Sequence, residues 1–168
     1  DIHFQSHEYN SSQMIKLLEK NGWEKPVDLA LLITSDIDHL KRCDWSIRYP
    51  LASNFKVKKW CEEFSVDDCS EIASELIEPL SDKDLNTSIS HQLYHKDTIA
   101  GWIVAKQVHD NTVQYSSLYV KPPYRSRAKG LHLLGVAFNS QIELGITYAK
   151  AAIKCNNKLI VKLAQSKG

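Results

Sequence analysis

Three runs between residues 87 and 120 carry a side-chain period of two: "TSISHQLYH" (87–95), "IAGWIVAKQV" (99–108) and "TVQYSSLYV" (112–120). That is the period of a strand, whose successive side chains point to opposite faces. The connections "KDT" and "HDN" are short enough for hairpins. A chain holding such a meander is committed to a sheet with an antiparallel centre, and every other element must pack around it.

The meander ends abruptly. In "LYVKPPYRSRAKGLHLLG" (118–135) prolines 122 and 123 cannot donate to a ladder, so the strand stops there. A basic loop follows, and then Leu131, Leu134, Phe138 and Ile142 fall at helical spacing, with Gly145 past the end. "ITYAKAAIKC" (146–155) reads as one more strand and "NKLIVKLAQSK" as a final helix. Upstream, "FKVKKW" (55–60) alternates like a strand. A helix opens at Ser65, carries apolar residues at Cys69, Ile72, Ala73, Leu76 and Ile77, and stops at Pro79. The order from residue 55 is strand, helix, three antiparallel strands, basic loop, helix, strand, helix. It predicts an α/β (α+β) fold with a mixed, mostly antiparallel central sheet flanked by helices.

Residues 1–53 stand before this unit, so the chain is read as a segment 1–53 and a domain 54–168. The segment holds a helix at 10–21 with Asn10 as N-cap and Gly22 as stop, a strand at 27–35 and a weaker strand at 44–51. Its "NSSQMIKLLEKNG" (10–22) matches "NNKLIVKLAQSKG" (156–168) at Asn, Lys, Leu and Gly, in the same expected context of a strand, an Asn, a helix and a Gly.

The 168 residues are enough for one buried domain with an extension. No apolar run approaches the roughly 18 residues of a membrane span, and the opening "DIHFQSHEYN" is not that of a secretory leader. Cys43, Cys61, Cys69 and Cys155 lack the paired spacing of a zinc site. Free thiols in the cytoplasm, and no metal, are the expectation. Charge is uneven: residues 121–168 hold nine Lys/Arg and one acid, whereas the first 120 hold twelve basic and nineteen acidic side chains. A basic third suits nucleic acid or a small polyphosphate. The cations cluster in one ligand-type loop and no base-reading motif is present, so nucleic acid is not expected as a partner.

That loop is built for an anion. A helix N-terminus offers unpaired N–H groups and a partial positive charge. Arg125, Arg127 and Lys129 surround Ser126, Ala128 and Gly130, small residues that let an anion reach the backbone. Neither a P-loop nor a dinucleotide fingerprint has this spacing.

Strand, proline, "YRSRAKG" and amphipathic helix together resemble the acyl-CoA signature of the GNAT superfamily of N-acyltransferases. Its loop reads [Q/R]-x-x-[G/A]-x-[G/A], and Arg125, Ala128 and Gly130 occupy the defined positions. The resemblance covers roughly residues 55–168 and implies that the loop 125–130 cradles the pyrophosphate of acetyl-CoA or another acyl-CoA. It also implies that the backbone along Leu118, Tyr119 and Val120 bonds the pantetheine arm, and that Asn156 or its neighbour Asn157 contacts that arm. The implied activity is acyl transfer to a small-molecule or protein amine.

Two departures stand out. The Tyr that many members carry before the Gly of the last helix is Ala164 here, and the strand that often holds an acidic base reads Gln114, Tyr115, Ser116, Ser117. The residues left for proton transfer are His91, Tyr115 and Ser117, with His95 and Tyr119 beside them; strand histidines and tyrosines also serve plain packing. The other class of function is a non-catalytic, degenerate CoA-binding or protein-interaction module. In the family two further strands follow the last helix, and residues 10–50 supply a similar helix–strand–strand order. The segment is then the tail of a preceding repeat, or it completes the sheet in cis or by exchange within a homodimer, or it is an unrelated helix–strand extension.

Overall fold

The computed structural model describes residues 11–24, 29–61, 72, 74–125 and 128–165. The expected N-cap Asn10, most of the helix expected from Ser65, and the loop residues Ser126 and Arg127 lie outside them. Residues 32–153 form one compact unit, and the two ends of the chain, up to residue 31 and from residue 154, form a smaller one.

In the larger unit six strands make a single sheet: β1 (Ala30–Asp36), β2 (Phe55–Lys59), β3 (His91–His95), β4 (Thr98–His109), β5 (Thr112–Val120) and β6 (Tyr148–Lys154). Their spatial order is β1-β6-β5-β4-β3-β2. The meander is present as expected, since β2–β3, β3–β4 and β4–β5 are all antiparallel. Strands β5 and β6 run parallel, joined over the sheet by α5 (Lys129–Glu143). The mixed, mostly antiparallel sheet is the predicted fold class.

Each face of the sheet buries its own cluster. On one face Ile89, Leu93, Ile103, Ala105 and Val113 meet Leu133 and Ala137 of α5. On the other, Trp60, Trp102, Val104 and Tyr119 pack with Leu80 and with Leu76 and Ile77 of α4 (Ser74–Ile77). Trp102 is fully buried, as its place in the central strand suggests.

The run at 44–51, expected as a strand, is instead the short helix α3 (Trp45–Arg48), preceded by α2 (Ile37–Lys41). Tertiary packing explains the difference. Trp45 stacks on Phe138 of α5 at 5.7 Å, and the His132 imidazole bonds the Tyr49 carbonyl at 2.9 Å. Helix α5 is therefore covered on two sides, by the sheet and by α2 and α3. Of the expected Leu131–Leu134–Phe138–Ile142 row only Phe138 is fully buried, and the buried stripe runs through Leu133, Ala137 and Gln141. The helix ends at Gly145, whose φ of 69° is left-handed and comfortable only for glycine.

The smaller unit contributes α1 (Ser11–Lys20) and α6 (Lys158–Gln165). The expected stop at Gly22 is present, with φ of 80° and the Trp23 N–H closing onto the Leu18 carbonyl.

A Cβ built on Gly135 stands 2.6 Å from the Ser46 amide nitrogen, so α3 touches α5 only because this residue is glycine. Gly135→Ala is expected to destabilise the protein by about 1–3 kcal/mol, the usual range for overpacking, although alanine favours a helix. Urea unfolding monitored by tryptophan fluorescence checks this; an unchanged midpoint removes the close contact.

Candidate functional site

The strands β5 and β6 do not stay together. Their pairing runs from Thr112↔Tyr148 to Tyr115↔Ala151 and stops. At the same level β5 carries a bulge: Val104 of β4 faces Ser117 and Ala105 faces Tyr115, which leaves Ser116 as the extra residue. A bulge inserts one residue, bends the strand and shifts the alternation of faces. Tyr115, Leu118 and Val120 consequently join the α5 face, and Ser117 and Tyr119 turn to the Trp102 face.

Beyond the bulge, β5 has an open edge. The Lys121 N–H bonds the Ala100 carbonyl across to β4. By antiparallel alternation the N–H and C=O groups of Leu118 and Val120 then point away from β4, toward the side where no described strand pairs with them. These are the backbone groups expected to receive the pantetheine arm.

The basic loop continues from that edge. Lys121 to Tyr124 form a 3-10 turn, as the two prolines require. The Arg125 Nε–H donates to the Val120 carbonyl at 2.8 Å, and its guanidinium lies over the Tyr119 ring at 5.4 Å. Arg125 thus braces the loop against the end of β5. Ala128 sits at φ 54°, ψ 30° and immediately precedes α5, with no side chain capping the helix. This left-handed conformation costs an alanine about 1–2 kcal/mol, and it turns the chain into the helix. Gly130 has open space around it: an added Cβ would meet nothing nearer than Val120 Cγ2 at 3.9 Å. The fold does not need glycine there, but a ligand seated against the helix terminus would. Lys129 differs from its expected place on the ligand side. It is buried, with its ammonium 4.6 Å from the Phe55 ring centroid, a cation–π contact within a cluster that includes His95 and Tyr124.

The expected proton-transfer residues are spread over two faces. His91 is buried (4% exposed); its Nδ1 bonds the Ile89 carbonyl at 2.7 Å, and Ser140 Oγ stands 3.4 Å from Nε2. Because a carbonyl only accepts, Nδ1 carries the hydrogen. Burial holds the imidazole below its ordinary pKa, which keeps it neutral. The Tyr115 hydroxyl donates to Gln141 Oε1 at 2.8 Å, and burial pushes its pKa far up. Ser117 Oγ accepts from the Trp102 indole at 3.0 Å and donates to the Leu76 carbonyl at 2.9 Å, tying α4 to the sheet. In the smaller unit Asn156 and Asn157 are both exposed, and Asn157 Oδ1 accepts from the Ile160 N–H at 3.4 Å and so caps α6.

A cleft of about 320 Å³ opens where β5 and β6 part. It is lined by Gln114, Tyr115 and Ser116 of β5, Ala152 of β6, Lys106 of β4, and Glu78, Pro79 and Asp82. The last three belong to a 3-10 turn (Glu78–Ser81) and the residue after it. Asp82 forms an ion pair with Lys106 at 3.2 Å and accepts from the Asp84 N–H at 3.0 Å. The Asp84 amide first, and Lys106 after it, hold its carboxyl below the ordinary range. The sequence reading missed Glu78 and Asp82, because "EPLSD" shows only a helix stop and a polar turn. Among the described residues no group of His, Cys, Asp or Glu could hold a metal, and no helix is long and apolar enough to cross a membrane.

Residues 47–166 match the model of the acetyltransferase (GNAT) family, so the chain belongs to that family. Among solved structures, a GCN5-related N-acetyltransferase from Sphaerobacter thermophilus superposes with a TM-score of 0.64 at 16% identity, over 88% of this chain and 49% of its own. A GCN5-related glucosamine N-acetyltransferase region in a fungal multi-domain GH3 β-N-acetylglucosaminidase gives a TM-score of 0.61 at 11% identity, over 86% of this chain and 20% of its own. At such identities the likeness establishes the fold. The chain spans about half the length of the first and a fifth of the second. No curated protein sequence matches it.

Two outcomes follow from this geometry. The folded state holds His91 neutral while the unfolded chain protonates near the ordinary value of about 6.5, so stability is present above that pH and falls as pH drops below it. Thermal unfolding between pH 7 and 5 is expected to show a declining midpoint in the parent and a flatter profile in His91→Gln; parallel profiles exclude His91 as the cause. Gly130→Ala, by contrast, is expected to leave stability unchanged or raise it by up to about 1 kcal/mol, and a midpoint lowered by several degrees contradicts the open space around Gly130.

Proposed function

We propose that this domain transfers an acyl group, in the first instance acetyl, from acyl-CoA to an amine. The observation that carries the reading is the juxtaposition of an open β5 edge at Leu118–Val120 with the braced turn and bare helix terminus at Arg125–Gly130. An extended amide-bearing arm satisfies such an edge as a strand does. A pyrophosphate suits the N–H groups and the partial charge of a helix start. The thioester supplies an electrophilic carbonyl. The protein's part is to hold it where a backbone N–H of the bulged strand polarises it, which is worth a few kcal/mol in acyl transfer, and to seat the amine in the cleft beside Ser116.

The three hydroxyl- and imidazole-bearing candidates are better read as framework. Ser117 uses both its donor and its acceptor within the protein, Tyr115 is pinned to Gln141, and His91 is buried away from the cleft lining. This engagement also favours the second reading, a CoA-binding module without turnover. The strand order, with β1 beside β6, supports the view that the N-terminal segment completes the sheet in cis.

Calorimetry with CoA is the test. Binding is expected, weakened by about 1–3 kcal/mol in Arg125→Ala, which loses a charge-assisted brace or ligand contact, and abolished in Gly130→Asp. Absence of binding at hundreds of micromolar rejects the reading. Release of free thiol with a panel of amines separates transfer from mere binding.

A further inference from the structure

The cleft at the parting of β5 and β6 holds an uneven set of charges. Asp82 and Lys106 neutralise each other at 3.2 Å. The third ionisable side chain among the charged residues of the lining, Glu78, has no ion-pair partner among the described residues. Among its described lining residues the cleft therefore carries about one uncompensated negative charge, and the bulged Ser116 lines the same cleft. The expected family positions for a base are Gln114 to Ser117, and none of them is ionisable near neutral pH, since burial drives Tyr115 upward. Glu78, which lines the same cleft as Gln114, Tyr115 and Ser116, is the available replacement.

The position of Glu78 is also fixed by the fold. The Leu76 carbonyl is held by Ser117 Oγ at 2.9 Å, two residues before Glu78, and Leu80 is buried two residues after it. Pro79 at the start of the 3-10 turn narrows the backbone choices of its predecessor further. Glu78 is thus an exposed carboxylate on an anchored turn, which is what a group that meets an incoming ligand requires.

Resting on the acyltransferase reading, we infer that Glu78 is the catalytic base and that the cleft selects primary amines that arrive as ammonium ions. The carboxylate binds the ammonium, takes one proton from it, and leaves the nitrogen lone pair free. The C–N bond then forms as the C–S bond breaks. The second proton of the attacking nitrogen ends on the CoA sulfur, and the proton on Glu78 returns to water. Ammonium and thioester give amide, thiol and one released proton, so atoms and charge balance. The Asp82–Lys106 pair keeps the wall polar without competing for the cation.

The test contrasts two probe amines in the full chain: butylamine, cationic at neutral pH, and 2,2,2-trifluoroethylamine, largely neutral there. Thiol release from acetyl-CoA is measured for the parent, Glu78→Gln and Glu78→Asp, with CoA affinity and thermal midpoint alongside. For butylamine, Glu78→Gln is expected to lower kcat/KM by about 100-fold or more, the range for losing a general base, with partial recovery in Glu78→Asp. For the fluorinated amine, which needs no base, the loss is expected to stay within about threefold. CoA affinity and the midpoint are expected to be unchanged, because Glu78 is exposed and lies outside the loop. Equal losses for both amines, no loss for butylamine, or a parent that binds CoA yet uses neither amine each overturn the role of Glu78. A parent that binds no CoA overturns the acyltransferase reading instead.

Discussion

One extra residue, Ser116, governs the architecture of the site. A regular β5 would keep Tyr115, Ser117 and Tyr119 on one face and would continue its ladder along β6. The bulge breaks both regularities at once. It sends Leu118 and Val120 to the α5 face, where they join the core, and leaves Ser117 and Tyr119 against Trp102. It also bends β5 where the parallel pairing with β6 ceases, so an edge of main-chain donors and acceptors opens in the middle of a six-stranded sheet. Unpaired backbone inside a sheet is costly unless something pairs with it. On the proposed reading, this opening is where an extended ligand pairs with the strand.

The segment after β5 works to the same end. Two prolines forbid further ladder, Arg125 fastens the turn to the last carbonyl of the strand, and Ala128 accepts a left-handed conformation so that α5 can start at once. The two glycines of α5 then divide the labour. Gly135 is demanded by the protein, which brings the α3 backbone against it, whereas Gly130 faces space that the protein leaves open. The helix thereby has one end committed to packing and one end committed to whatever approaches the loop.

Much of this was legible in the residues. The meander announced itself through its period and its short turns, the strand stop through Pro122 and Pro123, and the helix stops through Gly22 and Gly145, because each rests on local chemistry. What depended on tertiary contact was not legible. The 44–51 run became a helix because Trp45 and the Tyr49 carbonyl find partners on α5 some ninety residues away. Lys129, read as one of the cations around the anion site, is buried with its ammonium over the Phe55 ring. The bulge is silent in "QYSSLYV", since polar and aromatic residues fit either alternation. Glu78 and Asp82 read as turn residues until the fold sets them opposite Ser116.

The engagement of Ser117 within the framework bears directly on chemistry. Its hydroxyl joins three elements: the indole of Trp102 in β4, its own strand β5, and the Leu76 carbonyl of α4. A hydroxyl that satisfies one donor and one acceptor inside the protein gains about 0.5–1.5 kcal/mol per bond and would leave buried groups unpaired if it moved. It is consequently a poor shuttle and a good rivet. The same rivet fixes the 3-10 turn that carries Glu78, so the residues that look suited to proton transfer in the strand hold in place the one that the cleft exposes. On the proposed reading the strand supplies position and the turn supplies ionisable character, so a β5 without acidic side chains is compatible with acyl transfer.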